Sequence, residues 1–201
     1  MTLETRSWKL EAGRKLGKGF TLIETVIVIA ITTMALFALV NLFILFNATY
    51  GYQQAFIATA GSAGTAMNAL EAAVLPARRV LASRDFSGTA YASGPTALVL
   101  ELPAIDSSGD IIPEMSDYVA FYTSGAILYR LTEANAGSAR ASGVKQLSAT
   151  LNSLAFTYDN ADFTQVTSVA ADLETRALSK EQTVRSRLTG QWYLRNVSST
   201  P

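Results

Sequence analysis

The 201-residue chain contains neither cysteine nor histidine. The first absence excludes disulfides, thiolate metal sites and a cysteine nucleophile. The second removes the commonest general base and the commonest protein metal ligand, and with them any Ser–His–Asp arrangement. No glycine-rich phosphate loop is present, so the chain does not read as an assembly ATPase. Net charge is also missing: 16 basic residues balance 16 acidic ones. The balance is uneven along the chain. Residues 1–19 hold five basic and two acidic residues, net +3, and the remainder holds 11 and 14, net −3. A mildly acidic body carries no electrostatic footprint for nucleic acid, so no nucleic-acid partner is expected. No pair of carboxylates stands out for acid–base work, and an enzyme is not indicated.

What the chain does have is an apolar run. Residues 20–46 are 27 in number and carry one charge, Glu24. A helix crosses the hydrocarbon core with about 20 apolar residues, and this run would reach roughly 40 Å at 1.5 Å per residue. The +3 segment ahead of it should remain in the cytoplasm and place the body outside. Tyr50 and Tyr52 follow, where interfacial aromatics collect. An ordinary secretory signal does not fit, because its apolar core spans about 7–15 residues and meets a small-x-small site at once. Here Ala58-Thr59-Ala60 comes well past the end of the run. Hydropathy leaves two readings of Glu24. It snorkels to the interface of an uncleaved anchor, or it stays in the apolar helix because something pairs with it.

The junction Lys18-Gly19-Phe20-Thr21-Leu22-Ile23-Glu24 resembles the N-terminal processing motif of type IV pilins and type II secretion pseudopilins. In that family a basic leader ends in glycine, a dedicated peptidase cuts after it on the cytoplasmic side, and the new N-terminal residue is methylated. Carried over residue by residue, the resemblance implies cleavage between Gly19 and Phe20, N-methylation of Phe20, and an assembly role for Glu24. The 19-residue leader, with its two glutamates, is longer than many in the family. The spacing makes physical sense. Cleavage would leave an α-amine on Phe20, and Glu24 lies four residues on, about one helical turn. Among packed helices a carboxylate is expensive unless paired. The amine of an adjacent subunit supplies a pair and sets axial register; the amine of the same chain is the alternative. The partners implied are the prepilin peptidase/methylase, other pilins or pseudopilins through the N-terminal helix, an inner-membrane assembly platform, and lipid before extraction.

Beyond the run, Phe56, Ala60, Ala63, Met67, Leu70, Val74, Ala77 and Leu81 recur at alternating spacings of four and three. This predicts an amphipathic helix over 47–83 with one apolar stripe; Pro76 should kink it or end a segment. Residues 84–96 read as a loop. Strands are predicted over 97–102, 117–122, 126–131, 153–158, 166–173 and 187–195, with a hairpin at Thr123-Ser124-Gly125 and a small-residue loop over 134–143. The domain plan is a leader over 1–19, a membrane and assembly helix over 20–46, its amphipathic continuation over 47–83, and a β-rich head over 84–201. The fold class is α+β: a long helix covering one face of an antiparallel sheet of four to six strands. The stretches DYVAFYTSGAILYR, SLAFTYDN and WYLRN are similar to head segments of minor pilins and J-type minor pseudopilins.

Two acidic loops, Asp106-Ser107-Ser108-Gly109-Asp110 and Asp159-Asn160-Ala161-Asp162, lack a full calcium ligand set and read as surface turns, so no metal or other cofactor is expected. Arg78, Arg79 and Arg84 read as a solvated helix face. The functional expectation is a pilin-like structural subunit of a type IV pilus or type II secretion pseudopilus, of the minor (initiating or tip) kind. It is itself a single-pass protein of the bacterial cytoplasmic membrane, with its N-terminus cytoplasmic and its head periplasmic or extracellular. The alternative is an anchored, non-polymerising extracellular binding module.

Overall fold

The computed structural model describes residues 19–180 and 182–196. The leader expected over 1–19 lies outside the described residues except for Gly19. The chain divides into two units, Met1–Asn47 and Ala48–Pro201. Among the described residues there are one long helix, α1 (Leu22–Val74), ten strands and a short 3₁₀ turn (Phe163–Gln165).

In the first unit the helix is apolar all round. Its most apolar 18-residue window has a mean hydropathy of 2.5, and none of that window is buried. Such a helix suits lipid or other helices rather than water.

In the second unit α1 turns amphipathic. Ala55, Thr59, Ala63, Ala66, Met67, Leu70, Ala73 and Val74 are buried. The expected stripe holds from Ala63 to Ala77 but not before it, since Phe56 is 49% exposed. The seam there runs instead through Ala55 and Thr59, whose small side chains allow close approach of the strands behind. Thr59 also contributes a polar tie: its carbonyl accepts from the Thr175 hydroxyl at 2.9 Å. A second tie joins the hydroxyls of Ser62 and Ser148 at 2.8 Å.

The helix stops at Val74, short of the expected Ser83. Pro76 explains the stop, because it disfavours helical geometry at Leu75 and has no amide N–H of its own. The carbonyls left over are capped from the far end of the chain. Arg195 N–H donates to the Leu75 carbonyl at 3.1 Å, and the Asn196 amide donates to that of Pro76 at 2.9 Å.

Ten strands follow: β1 (Arg79–Val80), β2 (Ser83–Phe86), β3 (Thr89–Ala92), β4 (Leu98–Ile105), β5 (Ile111–Ser124), β6 (Ile127–Glu133), β7 (Gly143–Ser148), β8 (Leu151–Tyr158), β9 (Ser168–Ser179) and β10 (Gln182–Tyr193). They form a five-stranded sheet, β1-β4-β5-β6-β7, a three-stranded sheet, β10-β9-β8, and the hairpin β2-β3. All pairings are antiparallel. The α+β class therefore holds, with two main sheets where one was expected. One apolar core joins the helix to both, from Leu70 and Val74 through Leu100, Phe121 and Leu128 to Phe156, Val169 and Leu173. Each such side chain contributes about 1.5–3 kcal/mol on burial.

The segment 84–96 is not a loop. Ser87 and Gly88 both have positive φ, 51° and 96°, which is the backbone of a two-residue hairpin turn. Asp85 fastens it by accepting from Gly88 N–H at 2.6 Å. Phe86 then buries itself against Val99 and Ala120 on the outer face of the larger sheet. Strand β7 also went unforeseen, because GVKQLS shows no alternating apolar pattern to reveal it. Gly190 permits the closest approach in the head. A Cβ there would lie 2.6 Å from the Trp192 ring and 2.8 Å from the end of Met67.

Candidate functional site

The N-terminal junction is built by one residue, Thr21. Helical geometry begins at Leu22, and the Thr21 hydroxyl accepts from the Glu24 backbone N–H at 3.3 Å. Its carbonyl accepts from Thr25 N–H at 3.1 Å, the first helical bond. Thr21 is thus the N-cap, and Thr21-Leu22-Ile23-Glu24 has the spacing of a capping box. That pattern was legible in the sequence and is the sign by which Thr21 could have been singled out. The cap holds Glu24 in the first turn, where the helix dipole favours a negative charge.

The sites expected from the motif fall on either side of this cap. Gly19 and Phe20 are exposed and non-helical, so the peptide bond between them lies outside the helical hydrogen-bond ladder. Phe20 is 78% exposed. A Cβ on Gly19 would meet nothing within 4 Å, and its φ is not in the left-handed region. Packing among the described residues therefore does not demand glycine there. Glu24 is exposed on a helix whose neighbouring side chains are apolar, and it forms no ion pair among the described residues.

In the head, the structure assigns work to charges that sequence reasoning set aside. Arg78, Arg79 and Arg84 do not share a helix face. Arg79 meets Glu101 at 2.5 Å, and Arg84 pairs with Glu133 at 3.2 Å while stacking over Tyr118. Arg78 donates to the Ser116 hydroxyl at 3.1 Å, and that hydroxyl donates to Glu101 at 2.7 Å. Burial pushes the Glu101 carboxyl up; the Ser116 hydroxyl, the Arg79 hydrogen bond and the charges of Arg79 and Arg78 outweigh it and hold it below its ordinary value.

Asp117 is fully buried on β5 and organises the expected loop over 134–143. It accepts from Asn135 N–H at 2.8 Å, from the Ser138 hydroxyl at 2.7 Å and from Arg140 at 2.6 Å. Both acidic loops fold as turns. Asp106 accepts from Ser108 N–H and Asp110 N–H, and Asp162 caps the 3₁₀ turn through Thr164 N–H. The closing stretch WYLRN has a structural role: Leu194 enters the core, and Arg195 and Asn196 cap α1.

Residues 14–40 match a family model described as the prokaryotic N-terminal methylation motif. The match covers the junction and most of the apolar run and does not extend to the head. It supports a pilin-like chain with a prepilin-type N-terminus. No curated protein matches the chain.

Proposed function

We propose that this chain is a minor pilin-like structural subunit, of the initiating or tip kind, for a type IV pilus or a type II secretion pseudopilus. The prepilin peptidase cuts Gly19–Phe20 and methylates Phe20. The helix holds the subunit in the cytoplasmic membrane, N-terminus inside and head periplasmic or extracellular, until the assembly platform extracts it. The observation that carries this reading is the methylation-motif match over residues 14–40. It rests on an apolar run over residues 20–46 whose one acid, Glu24, sits in the first helical turn capped by Thr21. Tyr52, Phe56 and Ile57 remain exposed on α1 beyond the apolar run, as suits lateral packing of helices from successive subunits.

In this reading Glu24 receives the α-amine of the adjacent subunit. A pair in an apolar, water-poor helix bundle is strongly coupled, and removing one partner leaves an unpaired charge. Intact-mass measurement of the purified membrane form tests the processing. The expected mass lacks residues 1–19 and carries one added methyl; a full-length mass would instead favour the anchored binding module. Gly19→Leu should leave the leader attached. Glu24→Ala should be cleaved normally yet enter filaments at least tenfold less often, and undiminished incorporation of that variant would defeat the register role.

A further inference from the structure

On the helix-facing side of the larger sheet, Leu128, Arg130 and Thr132 alternate along β6. Register places Arg130 opposite Phe121 and Thr132 opposite Val119, both core residues. A guanidinium therefore stands on a face otherwise used for packing. At the Leu128 end that face is buried in the core. At the Thr132 end an open cleft of about 290 Å³ remains, floored by Leu102 and Val119 and flanked by Ala72, Ala73 and Ala141.

Two arginines line this cleft, and they are not equivalent. Arg140 is neutralised by Asp117. Arg130 has no ion pair among the described residues, and its buried Nε has no hydrogen-bond partner there. Glu71, next to the cleft-lining Ala72 on α1, is exposed and does not pair with it either. Lys145 lies opposite Arg130 on β7 and adds positive charge to the same edge. A buried donor without a partner is unfavourable, and guanidinium geometry matches a carboxylate in a bidentate fork.

We infer that this cleft binds a carboxylate carried on a short apolar body, with Arg130 on the carboxylate, the Thr132 hydroxyl at its edge and the Leu102–Val119 floor against the apolar part. The ligand chemistry has two sources, a free short-chain acid or an acidic group presented by another polypeptide. The inference is independent of N-terminal processing.

The test uses the full chain in detergent, titrated by NMR with pentanoate, N-acetyl-leucine and N-acetyl-glutamate amide, with pentanamide and inorganic phosphate as comparisons. Saturable binding of at least one carboxylate is expected, with pentanamide at least tenfold weaker. The preferred carboxylate identifies the source: pentanoate a free acid, N-acetyl-leucine a chain terminus, N-acetyl-glutamate amide an acidic side chain. In Arg130→Met binding should fall at least tenfold while the melting temperature stays level or rises, because that change removes an unsatisfied buried donor. Absence of binding, equal binding by pentanamide, stronger binding by phosphate, or binding that survives Arg130→Met would each overturn the assignment. A clear drop in melting temperature in Arg130→Met would do so as well, since it would mark Arg130 as a structural residue.

Discussion

Replacing Asp117 with alanine removes the acceptor around which an entire loop is folded. The carboxylate is 0% exposed and receives Asn135 N–H, the Ser138 hydroxyl and Arg140. Breaking a buried ion pair by deleting one partner costs about 3–5 kcal/mol. The Arg140 side chain is 21% exposed, and it keeps its bond to the Pro103 carbonyl, so water and that bond recover part of the loss. The Asn135 and Ser138 donors lie on a largely exposed loop and turn to solvent more cheaply than buried groups would. A loss of about 3–4 kcal/mol follows, which for a head of this size lowers the melting temperature by roughly 6–16 °C. Thermal melting of the detergent-solubilised chain measures it, and hydrogen exchange should show the opening concentrated in residues 134–142. The double variant Asp117→Leu, Arg140→Met should be less damaged than Asp117→Ala, because it leaves no unpaired charge. A single variant melting within about 2 °C of the parent, or a double variant that is worse, would refute the reasoning.

Gly190→Ala should destabilise the head by about 1–3 kcal/mol through overpacking, since the new methyl meets the Trp192 ring and Met67; adding Trp192→Phe should recover part of the loss in the same melting assay. Burial pushes the Tyr158 phenol up from 10.0 to about 12, with its hydroxyl donating to the Gly94 and Ala97 carbonyls. The folded chain then holds this proton more tightly than the unfolded one. Its contribution is complete below pH 10 and is lost as pH rises towards 12. Ultraviolet titration of phenolate should show a late component that is missing in Tyr158→Phe, and titration of that component near 10 would contradict the burial argument.

Features that depend on neighbours along the chain were readable without coordinates. The apolar run, its one acid and the glycine–phenylalanine junction are local patterns, and so are Pro76 as a helix breaker and a hairpin near Gly125, although its turn falls on Gly125 and Ala126 with Thr123 and Ser124 still in β5. The Thr21 cap is equally local, carried by the three-residue spacing from Thr21 to Glu24 that marks a capping box. The segment at Ser87-Gly88 was misread because its polar composition resembles a loop, while its identity as a hairpin rests on two positive φ values and on a place to bury Phe86.

The sequence alone determined where the chain can enter a membrane, that Pro76 would break the helical pattern, and that the body would be a helix set against antiparallel strands, because periodicity and backbone sterics act over a few residues. That the helix ends at Val74 rather than kinking on to Ser83 was left to the fold. Only the tertiary structure decided that Arg130 would have no ion pair among the described residues while Arg140, ten positions on, would have one. Asp117 reaches Arg140 through a loop folded back over β5, and pairing between residues so far apart depends on which strands become neighbours.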